Sequence, residues 1–518
     1  MAWTRREFLV RSGATAGVVA LSGAGCASDD VDEVRENDVD GDDGPEGQEE
    51  SGAGSATGQV VADADVPAAA AIFAWVSEIF DQGIRRPGYP ANQWAEGFIA
   101  DNFRSLGLEN VRLEPVMVTR WEPRRWRLEV GVGDAEPTEL ECFPLPNTAP
   151  VDRLEVELAA YDVEDPGAVS GKASLDEVGL LGIPADLFAS AGSAPDDTSR
   201  RIVDPEGTLR DATHIVPFGA RFQEVMDPSM QAGAAAYIGS LANYPGDSFA
   251  YYVPYDGVER PIPGVWISGS DGEWLRGQLA NGPVGVRLSV ESESQRVTSH
   301  NVVGELPGAD EQVVLIGSHH DGPWASAVED ASGMALVLAQ ATYWAAQSEE
   351  RRPHRLVFVL QAGHMDGGAG LRAFVEEHRQ ELEDVVLQVH LEHAALEFRA
   401  GDGEVAPTGL PEPRWFFTSR IPRLEEAVFE ALESEELHRS MVVAPDAIGE
   451  TPPTDGALYH AEGVPIVHFL AAPFYLFDAM DTLDKIDRDH LVPLTRATIR
   501  IVESTSSVSA SELREAAV

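Results

Sequence analysis

The residues best suited to chemistry lie in Gly317-Ser318-His319-His320-Asp321-Gly322 and, shortly after, Glu329-Asp330-Ala331-Ser332-Gly333. The apolar run Val313-Val314-Leu315-Ile316 precedes the first group, and apolar residues at helical spacing follow Ser332 as far as Gln347. A strand thus runs into a His/Asp cluster, a short loop adds two acids, and a helix begins. Ligands gather at the carboxyl ends of strands in open α/β sheets. Histidine and carboxylate there offer imidazole nitrogen and oxygen donors, the set a zinc hydrolase uses to hold its metal and activate water.

The pattern repeats along the chain. A second strand end carries Gly363-His364-Met365-Asp366, and a third carries His390-Leu391-Glu392-His393 with Glu397 beyond. A fourth region has Asp455 ahead of Gly463-Val464-Pro465, then Phe477-Asp478 and Asp481-Thr482. Five of the 13 histidines fall in the first three clusters, which favours one shared site over isolated structural histidines.

The elements that must position these residues follow from periodicity. Strands are expected at 313–317, 355–361, 385–391 and 464–470, and helices at 332–347, 371–378, 424–432 and 489–503. That alternation over 298–505 predicts an α/β fold, a mostly parallel sheet with helices on both faces. Upstream, helices are expected at 68–80 and 93–106 and strands at 111–119 and 126–132, giving a first part of this domain over 66–144. Residues 145–297 differ in texture, with short β-like runs, many Gly and Pro, and helices expected only near 222–231 and 271–279. Residues 506–518 read as a C-terminal tail.

The N-terminus reads Thr4-Arg5-Arg6-Glu7-Phe8-Leu9, then a short run of small apolar residues up to Cys26. Paired arginines before such a run are expected to be a twin-arginine export signal over 1–26. The run is too short to span a membrane. Cys26 is expected to be lipidated, so that the lipid anchor is the membrane attachment and the protein lies outside the cytoplasmic membrane. Residues 29–50 hold 12 acids and one basic residue, Arg35, with no aromatics. Residues 27–65 are therefore expected to be a self-repelling tether. Cys142 is the remaining cysteine, so no intramolecular disulfide is expected in the body. The formal charge of -50 argues against nucleic acid as a partner.

Residues 66–505 resemble the zinc exopeptidase family that includes aminopeptidase Y, glutamate carboxypeptidase and the transferrin receptor. The resemblance rests on Asn301-Val302-Val303-Gly304-Glu305-Leu306-Pro307-Gly308, His319-His320-Asp321, Asp330-Ala331-Ser332-Gly333, Arg372-Ala373-Phe374 and Asp481-Thr482-Leu483-Asp484-Lys485. Residues 145–297 resemble the protease-associated domain of several exopeptidases, through the helix running into Gly233-Ala234-Ala235 and the Ile262-Pro263 to Ser268 strand before a helix.

The resemblance implies a metal-dependent hydrolase, acting on a peptide or small amide substrate at peptide ends, with one or two zinc ions, and the signal implies that it is exported; a homodimer is left open. It implies that His319 binds zinc, that Asp321 orients it, that Glu329 takes the place of a bridging carboxylate, and that Glu392 is an acidic ligand. The family's paired glutamates, base then ligand, fall on His364 and Met365, and its last zinc histidine falls on Phe477. A rebuilt site would draw on His364, Asp366, His390 or His393, and Asp478, with His364 or Asp366 as base. A non-catalytic binding protein with the same fold is the alternative. In the rebuilt case His319, Glu329 and Glu392 are expected to converge, with His364 on the rim and Asp478 filling the place left by Phe477.

Overall fold

The computed structural model describes residues 61, 66–133, 135–184, 200–219, 223–401, 404–447, 449 and 451–516. The signal expected over 1–26, with Cys26, and the tether expected over 27–65, except residue 61, lie outside the described residues.

The centre of the fold is a set of parallel strands. Val313–His319 pairs in parallel with Arg355–Gln361 on one side and Val385–Leu391 on the other. Ile466–Ala471 extends the parallel set beyond Val385–Leu391. Nearly all their residues are buried, as expected of strands covered on both faces, and this is why they read as unbroken apolar runs. The helix Gly333–Ala346 is buried around most of its circumference, packed against this sheet and the helices Ala69–Phe80 and Leu491–Glu503. The helices Ala369–Glu377 and Pro422–Ser434 complete the cover.

Two further strands were not expected from the sequence. Arg414–Thr418 pairs antiparallel to Ile466–Ala471, and Ser440–Val443 pairs parallel to Arg414–Thr418. Arg200–Val203, from the 145–297 segment, adds antiparallel to Ser440–Val443 at the sheet's edge.

The two expected strands 111–119 and 126–132 are one, Glu109–Val132, with an irregularity between Pro123 and Arg125. It pairs along its length with Val284–Leu306. The far end of Val284–Leu306 joins Arg355–Gln361. Its near end joins Val151–Ala160, which leads to the parallel strands Ala173–Ile183, Ala236–Ala242 and Gly264–Ile267. This strand therefore links the β-rich segment to the α/β part, running across position 297.

The helix expected near 222–231 is only Asp227–Gln231. Pro228 sits in its first turn, where a missing N–H costs nothing, and so marks where the helix starts. Pro90 likewise begins the helix Pro90–Ser105, three residues earlier than expected. The last residues are not all irregular: Ala510–Glu515 is a helix with a Ser509/Glu512 capping box.

Candidate metal centre

His319 ends its strand and is fully buried. Its Nδ1 lies 2.9 Å from the Asp321 backbone carbonyl. A carbonyl only accepts, so Nδ1 carries the proton and Nε2 presents a lone pair. His393 is arranged the same way. Its Nδ1–H donates to the Ala471 carbonyl over 2.8 Å, which leaves Nε2 as the lone-pair atom. Both Nε2 atoms face Glu329: His319 at 3.6 Å from Oε1 and His393 at 2.5 Å from Oε2. Yet the two Nε2 atoms and both Glu329 oxygens are buried without a hydrogen bond of acceptable geometry.

Two lone pairs and a carboxylate cannot be pressed together in a dry interior unless a proton or a metal cation lies among them. Ionisation reflects this. Burial works against the charged form of His393, but Glu329 opposite raises it to about 10. Burial also opposes the Glu329 carboxylate, and the charges of His393 and His364 nonetheless hold it below the usual range. His319 is held neutral, first by burial and then by the charge of His364. The ligand atoms of His319, Glu329 and His393 lie within 4.8 Å of one another. Two imidazoles and a carboxylate are a donor set that fits zinc.

The loop bearing Glu329 is held from three sides. Asp481 accepts the Glu329 N–H over 2.9 Å and the Val328 N–H over 2.9 and 3.1 Å. The buried Arg85 guanidinium donates to the carbonyls of Ser326 at 2.9 Å and Glu329 at 3.2 Å. Asp330 is engaged in structure: it accepts from Ser318 Oγ and from the N–H groups of Gly333 at 2.9 Å and His393 at 3.3 Å. That division decides which of the two neighbouring acids faces the site, since both Glu329 oxygens face histidine rings. Gly333 is required there, because a Cβ would collide with the Asp330 carboxylate and the Leu391 carbonyl.

His364 lies parallel to His319, ring centroids 4.1 Å apart and 17° from coplanar. Its Nε2 is 3.2 Å from Glu329 Oε1 and its Nδ1 is 2.5 Å from Asp455 Oδ2. Burial opposes its charge, but Asp455 and Glu329 raise its pKa well above the ordinary value. His364 and Asp455 keep 12% and 14% side-chain exposure, whereas the other members of the cluster are buried, so the site opens on their side. Tyr255 covers His364 at 4.9 Å, and Phe477 lies 5.0 Å behind Tyr255. Phe477 is thus an aromatic wall where the resemblance places a zinc histidine.

The expected residues divide as follows. His319 and Glu329 come together, and the third member of their group is His393. Glu392 is grouped with His390 and Asp455 instead. His364 joins His319 and Asp455 in a third group. The Asp321 carboxylate accepts the N–H groups of His364 at 3.0 Å and Met365 at 2.8 Å, so it orients the His364 loop, and its main-chain carbonyl orients His319. Asp366 accepts the Thr119 N–H over 2.8 Å and belongs to none of the groups found among the described residues. Nor does Asp478, whose carboxylate accepts the Met480 N–H over 2.9 Å and is pushed by burial up to about 6. His320 turns away, its ring bonded to Asn92 at 2.8 Å and the His300 carbonyl at 2.9 Å. Asp455, Asp481 and Arg85 were given no site role from sequence. Asp455 belongs to the fourth polar region of the sequence and sits just before the short Ala457–Ala461 helix.

Residues 301–502 match Peptidase family M28. Carboxypeptidase Q of Bos taurus is 25% identical over 313 residues, covering 57% of this chain and 59% of its own length. Leucine aminopeptidase 2 of Arthroderma otae is 35% identical over 227 residues, 43% of this chain and 37% of its own. The chain thus spans about three fifths of the carboxypeptidase relatives. A solved M28 peptidase precursor from Shewanella amazonensis shares the fold with a TM-score of 0.64 at 20% identity, covering 84% of this chain and 93% of that one. A zinc aminopeptidase from Bacillus subtilis does so with a TM-score of 0.61 at 16% identity, over 88% and 100%. Residues 301–502, the α/β part of this chain, are thus similar to peptidase family M28.

Proposed function

We propose that the protein is a metal-dependent peptidase acting on peptide ends, with a metal site rebuilt around His393. One observation carries the reading: the Nε2 atoms of His319 and His393 and the Glu329 carboxylate converge in the interior with no hydrogen bond of acceptable geometry among them. The family match and the names of the relatives support the same class of reaction. A bound zinc ion would supply Lewis acidity towards a carbonyl and lower the pKa of a water molecule. His319, Glu329 and His393 would hold it. His364 Nε2 is the atom placed to give a proton to a reacting group and take one back, with Nδ1 fixed by Asp455 as an orienting carboxylate. Tyr255 packs against the His364 ring, and Phe477 packs against Tyr255.

The test is hydrolysis of aminoacyl anilides and blocked dipeptides by protein before and after chelation. Activity that vanishes with chelator and returns with zinc is expected. Metal-loaded protein that cleaves no peptide with a free end would overturn the catalytic reading. It would favour a binding protein of this fold, the alternative to which Phe477 and the buried Met365 point, since neither can replace the His and Glu of the resemblance.

Export and lipid anchoring at Cys26 belong to the same proposal, supported by Arg5-Arg6 and the short apolar run. Cys26→Ser should release the folded protein from membranes; retention after a salt wash would refute the anchor. Normal export after Arg5→Lys and Arg6→Lys would refute the twin-arginine route. Among the described residues no helix is long and apolar enough to cross a membrane.

A further inference from the structure

Arg85 and Arg86 are neighbours in the chain, and both are buried, at 0% and 3% exposure. Arg85 grips the loop that carries Glu329, and its own main chain is tied to the same loop. Its backbone N–H donates to the Trp324 carbonyl over 2.9 Å, and its carbonyl accepts the Gly322 N–H over 3.1 Å. Arg86 adds a third tie between those two points, its Nε–H donating to the Pro323 carbonyl over 2.8 Å.

The Arg86 guanidinium lies in a cage of five aromatic rings. Its central carbon is 4.6 Å from the Tyr252 centroid, 4.7 Å from Trp324 and 5.4 Å from Phe143, with Tyr89 and Trp121 at 5.8 and 5.9 Å. Among the described residues no carboxylate pairs with it, and its Nη2 is buried with no hydrogen-bond partner. The rings come from separate parts of the chain. Tyr89 leads into the helix Pro90–Ser105, Trp121 lies on Glu109–Val132, and Tyr252 belongs to the 145–297 segment. Trp324 closes the cage from the metal loop itself and packs on Phe143 at 4.8 Å. Its indole N–H donates to the Phe477 carbonyl over 3.1 Å, which also accepts the Tyr252 N–H over 2.9 Å.

An apolar side chain would fill such a cage with no charge to desolvate. Cation–π attraction to several ring faces offsets part of that cost. What an apolar residue could not supply is the bond to the Pro323 carbonyl together with a flat cation that holds the rings in one arrangement. That chemistry sits where the loop towards Glu329 begins.

We propose that Arg86 is a positioning residue of the metal centre. It fixes the stretch from Gly322 to Trp324 and the main chain of Arg85. The Arg85 guanidinium can then meet the Ser326 and Glu329 carbonyls, and the Glu329 carboxylate faces His319 and His393. The role rests on the metal-binding part of the proposed function and not on catalysis.

The test is zinc titration of metal-stripped full-length protein by calorimetry, beside urea unfolding of the same metal-free samples. Arg86→Lys keeps the charge but loses the planar group that stacks and bonds at once. It should weaken zinc binding about 10-fold. Arg352→Lys is the control. Arg352 is also buried and donates to the carbonyls of Trp344 at 2.9 Å, Pro307 at 2.6 Å and Gln347 at 2.8 Å. It lies at the other end of the sheet, ahead of the strand Arg355–Gln361. That variant should lose stability and bind zinc as the parent does. Trp324→Leu is the second route, since Trp324 is only half-buried. It removes one face of the cage and should weaken zinc binding roughly fivefold. Circular dichroism shows whether each variant is folded. Zinc affinity unchanged in Arg86→Lys, or in Trp324→Leu where the first variant does not fold, overturns the proposal and leaves the metal site standing. An equal loss of affinity in Arg352→Lys also overturns it. A parent protein that binds no zinc overturns both.

Discussion

Two buried charge clusters lie near each other along the chain, and they are built on opposite plans. Glu397 takes His214 Nδ1 at 3.0 Å, Arg399 at 2.7 Å, Arg439 at 2.9 Å and Thr408 Oγ1 at 2.9 Å. Around Glu329 stand three histidines, two of which offer it lone pairs. Glu397 is surrounded by donors, two of them permanently charged, so the protein supplies its own countercharge. Glu329 is surrounded by imidazoles, which can hold a proton or give that nitrogen to a metal ion, so its countercharge is exchangeable. A buried charged group thus marks a site when the countercharge around it can be exchanged, and mere burial of charge does not. A surface groove of ≈ 840 Å³ beside Arg124, Arg125 and Trp126 makes the same point. Its arginines are already paired, Arg124 with Glu293 at 2.7 Å and Arg125 with Glu291 at 2.8 Å.

The comparison can be broken most forcefully at His319. His319→Ala should abolish metal binding at this site and any peptidase activity, read by calorimetry and by hydrolysis. Activity that survives would place the chemistry elsewhere.

The Glu397 cluster should respond in stability alone. Glu397→Gln removes one partner of a buried pair and should cost about 3–5 kcal/mol in urea unfolding. Zinc affinity of the folded protein should stay unchanged. The pH dependence has a definite sign. Burial opposes the Glu397 charge, but His214 and Arg439 lower its pKa to about 2. Its contribution is therefore present above about 4.3, the unfolded value, and is lost as pH falls through about 2. The Gln variant should show a correspondingly shallower loss of stability in acid.

A smaller effect is expected one layer out from the metal. Asp481→Asn weakens the hold on the Val328 and Glu329 N–H groups and should reduce zinc affinity roughly 10–100-fold while the fold persists. An unchanged affinity would mean that the loop is positioned by Arg85 alone. The least effect belongs to the two acids that sequence suggested as replacements: Asp366→Asn and Asp478→Asn should leave zinc stoichiometry unchanged. Loss of an equivalent in either would return that residue to the site.

Much of this was legible in the sequence, for reasons that also set its limits. The four parallel strands and their helices were readable because strands buried on both faces are continuous apolar runs. Arg414–Thr418 and Ser440–Val443 are short and paired at the edge of that set, and nothing in their local pattern announced them. Glu109–Val132 seemed to be two strands because Glu122-Pro123-Arg124-Arg125 interrupts the apolar pattern, yet a long partner strand carries it through. In the site, strand-end positions identified His319 and Glu329. The share taken by His393 depends on its positive φ of 63°, which turns the side chain back towards Glu329 after the strand ends. Asp455 reaches His364 across 91 residues of sequence, a contact that no local spacing encodes.

The most direct test of a cation-dependent site is the metal content of full-length protein purified after export, compared with His393→Ala by elemental analysis. The account predicts bound zinc or a neighbouring divalent metal in the parent protein and a loss of one equivalent in the variant. Parent protein that carries no metal and takes none up from excess zinc, while folded, would contradict it.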